Sequence, residues 1–429
     1  IPVALMEAMA SRLPVISTRI SGIPELVEDG VSGLLAEPED EDALAAALIA
    51  LGQDPALRAR MGESGQKKVS QDFDLRGNVT VLRRQFERVL KRSIALYDQL
   101  VRWVEKRASD LAGGHCFVTF RDIGGGRDSI VYETVARCPD RSRLHMILKL
   151  HRPHWAEADQ VLAQGRPHAE QEFKALTALW DYQQHDEAAL AVPRPIGFNR
   201  SHSAVLMGKS PGEKLSIHLR WASWRSGGAR PLPGWFEASG AWLAALHRVS
   251  ATQGDSAAVI ERLEREFAAD LAHCREAGLD PHLADAAGRR FEANRERFAE
   301  WSARQVGQHC DFAPYNILAA DSGVTVIDFE GLRPGLVYED IAYFLCMAEI
   351  IPRYHLTRSS NAALRARFLA GYRASAELDD AALDFFVLLA TIKIMGNSPV
   401  LRPGGSPLAR AKRLLRLNFY RRTLRKRLA

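Results

Sequence analysis

Cysteine is scarce in this chain: five residues among 429, at Cys116, Cys138, Cys274, Cys310 and Cys346. The number is odd, the spacing scattered and no Cys-x-x-Cys pair occurs. Neither a disulfide framework nor a structural zinc site is expected, and a reducing cytoplasm is. Long apolar runs are missing as well. The most apolar late stretch, Phe385 to Ile394, is broken by Lys393 and predicts a buried helix rather than a membrane span. No signal-like segment, low-complexity tract or internal repeat is visible. Acid is absent from the last twenty residues, which carry Arg410, Lys412, Arg413, Arg416, Arg421, Arg422, Arg425, Lys426 and Arg427 with interleaved leucines. Three readings follow: a basic helix on an anionic membrane surface, a terminal helix that packs its leucines and leaves its cations in water, or, third, nucleic acid, for which no recognisable module is present.

What is there is globular. The chain is 47% hydrophobic and 25% charged, with a net charge of +5, and its length predicts two or three domains. It opens at Ile1 inside an apolar run, which predicts a start partway through a longer protein. Residues 1–50 alternate helix and strand patterns: a helix over Ala4–Ala10, a strand at Leu13–Ser17, a short helix from Glu25 to Gly30, a strand at Gly33–Leu35 and an Ala-rich helix over Asp40–Leu51, with acid in its first turn. That is half of an α/β sheet domain. Residues 77–110 read as charged helix without strand, a linker punctuated by Gly113-Gly114. Strands then follow at Cys116–Phe120, Ile130–Val135 and Met146–Leu150, a helix from His168 to Tyr182, and strands near Ile196–Phe198 and Ala204–Met207. Beyond Pro211-Gly212 the pattern is mostly helical, with a β interlude around Ile317–Asp328.

The sharpest motif runs Gln308-His-Cys-Asp-Phe-Ala-Pro-Tyr-Asn316, then through a turn at Asp321-Ser-Gly323 to Ile327-Asp-Phe-Glu-Gly331. Phosphoryl transfer needs one carboxylate beside the acceptor hydroxyl, and oxygen ligands that hold magnesium on the phosphates. Asp311 fits the base, Asn316 and Asp328 the metal ligands, and His309 a brace for the loop. Upstream, Gly124, Gly125, Gly126 and Ser129 sit between two strands. They read either as a loop whose N–H groups cradle phosphates or as a tight hairpin turn. Lys149 is charged inside an apolar strand, either an edge residue or the lysine that grips the phosphates with a glutamate from the following helix. Glu172 is the expected partner and Glu170 the alternative. His151 reads as a solvated turn histidine. Leu206-Met207 ends a strand before Gly208.

The pattern H-x-D-x-x-x-x-N followed by I-D-F resembles the aminoglycoside phosphotransferase and choline kinase superfamily. It departs at Cys310, where that superfamily often has Gly, and at Ala313, where it often has His. The resemblance implies that Asp311 and Lys149 are catalytic, that Asn316 and Asp328 bind Mg2+, and that Gly124, Gly125, Gly126, Ser129, Lys149, Glu172 and Met207 bind ATP, with Met207 at the adenine hinge. It also makes Asp340 the acid that caps the helix after the metal loop. Residues 1–90 resemble the C-terminal part of a retaining GT-B glycosyltransferase through Ile1-Pro-Val-Ala-Leu-Met-Glu7, Leu13-Pro-Val15, Ser21-Gly-Ile-Pro-Glu25 and Gly33. That resemblance implies a nucleotide-sugar site to which Glu7 belongs.

Together these readings predict an α+β, two-lobed protein-kinase-like fold after a partial Rossmann-like half-domain. The expected segments are 1–90 (donor-binding remnant), 91–113 (helical linker), 114–209 (β-rich lobe) and 210–429 (helical lobe). The expected function is ATP-dependent phosphorylation of a hydroxyl on a small molecule, a sugar or glycan of envelope polysaccharide. The alternatives are a non-catalytic scaffold and, below it, a protein kinase. The expected location is cytoplasmic, with a peripheral position on the inner membrane face through the basic tail.

Overall fold

The structure is a computed structural model. It describes residues 2–73, 97–125, 129–151, 158–185, 190–221, 232–252, 254–303, 305–354, 362–401 and 407–428. The chain divides into two compact units, Ile1–Gln99 and Leu100–Ala429.

In the first unit, α1 (Val3–Ala10) leads to β1 (Val15–Thr18), α2 (Ile23–Leu26), β2 (Gly33–Ala36), α3 (Glu41–Gln53) and α4 (Pro55–Asp72). β1 and β2 pair in parallel, Val15 opposite Gly33, with α2 between them in sequence. Asp40 and Asp54 set the starts of α3 and α4: their carboxylates accept the N–H of Ala43 at 2.8 Å and of Leu57 at 2.9 Å. Such caps satisfy donors that a helix start leaves free. Met9, Val15, Ile23, Leu26 and Val27 form the core. The short helix starts earlier than expected because Pro24 sits in its first turn, where a missing N–H does no harm; it ends at Leu26, not Gly30.

The second unit begins with α5 (residues 100–112) and an antiparallel sheet ordered β3-β4-β5-β7-β6. Its strands are β3 (Phe117–Gly124), β4 (Ser129–Arg137), β5 (Arg143–His151), β6 (Pro195–Asn199) and β7 (Ala204–Gly208), with α6 (Ala158–His185) between β5 and β6. Strand alternation gives the sheet two apolar faces. Ala204 and Leu206 face α5, where Leu100, Val104 and Ala108, four apart, form one stripe; Val205 and Met207 join Ala169, Leu176 and Leu179 of α6. Each such leucine withdrawn from water contributes roughly 1.5–3 kcal/mol. Thus residues 100–112 belong to the packing of the sheet. The thiols of Cys116 and Cys138 lie 3.1 Å apart across the β3–β4 hairpin, and all five cysteines are free.

The remainder is mostly helical: β8 (Glu213–Lys214), α7 (Leu215–Trp221), α8 (Leu232–Val249), α9 (Ser256–Glu276), α10 (Pro281–Glu292), α11 (Phe298–Ser302), β9 (Gln305–Gln308), β10 (Ile317–Ala320), β11 (Gly323–Val326), β12 (Arg333–Leu336), α12 (Val337–Tyr354), α13 (Ala362–Arg373), α14 (Asp380–Gly396) and α15 (Pro407–Leu428). α8 and α13 pack backbone to backbone. A Cβ on Gly240 would stand 2.0 Å from Phe368 O, and one on Gly371 1.9 Å from Glu237 O, so only glycine permits this approach. The β content here exceeds the single interlude expected: β8 joins the β10–β11 hairpin, and β12 pairs with β9. Pro334 and Gly335 hide β12 in the sequence, yet among the described residues the strand pairs with β9 alone, and Gly307, opposite Pro334, gives its N–H to Ser250 Oγ, so no ladder bond is lost at the proline.

Candidate active site

The loop from His309 to Asn316, between β9 and β10, is held from three sides. Asp340, in the first turn of α12, accepts the N–H of His309 at 2.6 Å and of Cys310 at 3.0 Å. This corrects the expected capping role: Glu339 takes the N–H of Leu336 at 3.0 Å, and Asp340 is the brace of the loop. His309 Nε2 donates to Ile327 O at 3.0 Å, tying the loop to the segment that carries Asp328. Phe312 is buried against Trp242, ring centroids 5.7 Å apart. At the site, Cys310 (φ 67°) and Asp328 (φ 77°) take left-handed backbone, each at roughly 1–2 kcal/mol for a non-glycine residue. Glycine would hold the Cys310 conformation without that cost.

These restraints aim Asp311 and Asn316. Asn316 Nδ2 donates to the Asp311 carboxylate at 2.9 Å and to its carbonyl at 3.0 Å. Tyr315 donates its hydroxyl to the same carboxylate, and Tyr343 stands 3.2 Å beyond Tyr315, hydroxyl to hydroxyl. Burial raises the Asp311 pKa above the usual carboxylate range, against the lowering pull of the Tyr315 hydrogen bond. Ile327 N–H donates to Asn316 O at 3.0 Å, which ties Asn316 to the residue just before Asp328.

Lys149 lies on β5, a strand paired on both sides by β4 and β7, and is 7% exposed. Its ammonium is 2.6 Å from Asp328, 3.1 Å from Glu172 and 3.4 Å from Glu330. Burial would lower its pKa, but the three carboxylates outweigh it and the pKa is raised. Glu170 pairs instead with Lys174 at 2.9 Å. His151 follows Lys149 by two residues, so it shares a strand face with it. It is buried, not solvated as its sequence context suggested: Nε2 is 2.7 Å from Glu172 and Nδ1 3.1 Å from Glu330. The hydrogen bond from His151 is the main reason the Glu330 pKa falls to about 2. His151, Glu172 and Glu330 are spaced like a metal site, but the Lys149 ammonium already occupies the cation's place between the two carboxylates.

Gly124 has φ 94°, and a Cβ on Gly125 would stand 2.1 Å from Ser129 O, so the β3–β4 turn closes only with glycine. Gly126 lies outside the described residues. Met207 is buried in β7 opposite Ile147; the next two N–H groups, of Gly208 and Lys209, donate to Arg194 O and His145 O at 2.8 and 3.0 Å. Glu7 is exposed on α1 of the other unit. Sequence reasoning missed His151, Glu330, Tyr315 and Tyr343. Period-two spacing from Lys149 signals the first, and a one-turn offset from Asp340 on α12 the last.

Residues 1–68 match the family described as glycosyl transferases group 1. Over 92 residues the chain is 47% identical to amylovoran biosynthesis glycosyltransferase AmsK of Erwinia amylovora, covering 21% of this chain and 22% of that protein. The chain thus spans about a fifth of the length of that relative. Among solved structures, the amicoumacin kinase hAmiN in complex with AMP-PNP, Ca2+ and Ami aligns over 72% of this chain and 87% of its own, at 16% identity and TM-score 0.43. A glucosamine kinase in complex with glucosamine, ADP and inorganic phosphate aligns over 73% and 97%, at 16% identity and TM-score 0.43. No helix among the described residues is long and apolar enough to cross a membrane. Residues 119–386, more than half of the chain, match the phosphotransferase enzyme family as one continuous stretch, and the chain belongs to that family.

Proposed function

We propose that the second unit transfers the γ-phosphoryl group of ATP to a hydroxyl, with Asp311 as the base. One observation carries the reading: the Asp311 carboxylate is fixed by Asn316 and Tyr315 and its pKa is raised, while the ion pairs of Lys149 run to Glu172, Asp328 and Glu330. A base must be held in place and be free to take a proton. Lys149, paired with Glu172, grips the phosphates; the glycine turn at Gly124 and Gly125, with Ser129, closes over them, and Met207 lines the adenine hinge. Asn316 and Asp328 fit Mg2+: both offer oxygen, the backbone bond from Ile327 to Asn316 joins their segments, and the Asp328 side chain is 33% exposed. When bound there, the ion would neutralise phosphate charge.

The proposed acceptor is a sugar or glycan of envelope polysaccharide. A hollow beside the loop is lined by Cys310, Tyr343, Glu266, Asp270, Arg333 and Lys393. Both signs of charge next to aromatic carbon suit a polyhydroxyl compound better than a polycation. The AmsK name, which speaks of amylovoran biosynthesis, agrees. Residues 1–90 are proposed as donor-binding glycosyltransferase sequence, with Glu7 on a nucleotide-sugar, 91–113 as a linker, and 114–209 and 210–429 as the two kinase lobes. The proposed location is cytoplasmic and peripheral to the anionic inner membrane face, with no nucleic-acid partner. The test is ATP consumption by the purified chain across sugars, oligosaccharides and aminoglycosides. Turnover with a saccharide supports the reading. Turnover with aminoglycosides alone, or with none of the compounds, counts against it.

A further inference from the structure

α15 has two faces. One packs: Leu417, Tyr420 and Leu424, three and four apart, are buried with residues of α9, α10 and α14. Cations on that side are engaged by the protein. Arg413 and Arg421 donate to Ala277 O and Gly278 O, at 3.3 and 2.7 Å, where α9 ends, and Arg427 pairs with Glu349 at 2.9 Å. A helix that only packs needs one apolar stripe. Yet Leu414 and Leu415 are 62% and 68% exposed, the most exposed leucines among the described residues. At about 100° per residue they share a solvent face with Ala411, Asn418, Arg422, Arg425 and Lys426, all exposed. The helix contains no acidic residue.

We propose that this face docks on an anionic phospholipid surface. This deepens the peripheral location proposed above and is independent of the phosphoryl-transfer reading. Leu414 and Leu415 enter the headgroup layer, while Arg422, Arg425 and Lys426 lie among lipid phosphates. The combination chooses the occupant. A nucleic acid would match the cations but offers no hydrocarbon to two adjacent leucines. A second copy of the chain, face to face, would set cation against cation. An anionic bilayer supplies both the charge and the apolar layer, and a short apolar contact needs the electrostatic one beside it to hold.

The experiment is co-sedimentation of the full chain with vesicles of phosphatidylcholine alone, or with phosphatidylserine as about a third of the lipid. Binding is expected to the mixed vesicles only, weakening as salt rises. Combined Arg422→Gln, Arg425→Gln and Lys426→Gln should weaken it by about a hundredfold, near fivefold per charge. Leu414→Gln with Leu415→Gln should weaken it too, with the thermal unfolding midpoint unchanged, since neither leucine is packed. Absence of binding to the mixed vesicles, equal binding to both, or unchanged binding by either variant overturns the proposal. So does retention on RNA without binding to vesicles. ATP turnover measured on the same samples without lipid keeps a failure here distinct from a failure of the kinase reading.

Discussion

His151 Nε2 stands 2.7 Å from the carboxylate of Glu172, and both side chains are buried. The ring's other nitrogen faces Glu330 at 3.1 Å, and Lys149 is the nearby cation. Burial and Lys149 oppose protonation of the ring, but the two carboxylates prevail and the pKa is raised. A raised folded value means that protonation favours the folded state. Its contribution is full below the unfolded pKa of about 6.5 and is lost as pH rises through the folded value. His151→Gln should remove that pH dependence, so the gap in stability between wild type and variant narrows towards alkaline pH. Urea unfolding followed by tryptophan fluorescence reads it cleanly, because every tryptophan lies beyond residue 99. A constant gap across pH would show that folding leaves the ring's pKa unshifted.

Asp340 is a second strong constraint. Asp340→Ala leaves the N–H groups of His309 and Cys310 without their acceptor in a buried place. Each orphaned group costs roughly 1–3 kcal/mol, so a loss of about 2–6 kcal/mol is expected. Asp340→Asn keeps one acceptor oxygen and should lose less. The same urea series decides this, and equal losses would mean that the carboxylate's charge, rather than its two acceptors, sets the loop.

Much of this was legible in the sequence, for reasons that vary with the element. The Asp311, Asn316 and Asp328 spacing is local, and Lys149 stands out because a charge in an apolar strand demands a partner. The strands of the five-stranded sheet announce themselves by β-branched and aromatic runs. His151 was legible only in part: period-two spacing from Lys149 puts it on the same strand face, but its partners, Glu172 and Glu330, come from distant segments. β12 was hidden by Pro334 and Gly335, since propensity speaks against a strand that only pairing with β9 makes. Asp340 was visible as an acid at a helix start, but its reach to the loop backbone is tertiary. For the tail, the sequence showed leucines among cations and could not say which of them pack.

Cys310 holds φ 67° where glycine would be unstrained. Cys310→Gly relieves the backbone but frees the unfolded chain and removes the thiol that lies 3.2 Å from Arg333 Nε. These effects oppose each other, and a net change within about 1 kcal/mol is expected. Cys310→Val adds branching at Cβ in the same conformation and should lose about 2 kcal/mol or more. Equal tolerance of glycine and valine in urea melts would mean that the loop does not keep this backbone in solution.

The decisive pair is Asp311→Asn and Asp328→Asn. In the first, the amide oxygen can keep the hydrogen bond from Asn316, and the amide nitrogen can donate to Tyr315, whose hydroxyl also accepts. The loop therefore survives while the group that takes the proton is gone. ATP affinity should stay close to wild type, and turnover should fall about a hundredfold or more, the range for a positioned base. Asp328→Asn removes a charge from the oxygens proposed to hold Mg2+ and from the partner of Lys149 at 2.6 Å. It should weaken magnesium-dependent ATP binding as well as rate, read by calorimetry with and without the metal. If Asp311→Asn loses ATP binding while Asp328→Asn keeps it, the two roles are reversed. If both keep full turnover, Asp311 is not the base, and phosphoryl transfer in this chain does not pass through the loop that Asp340 holds.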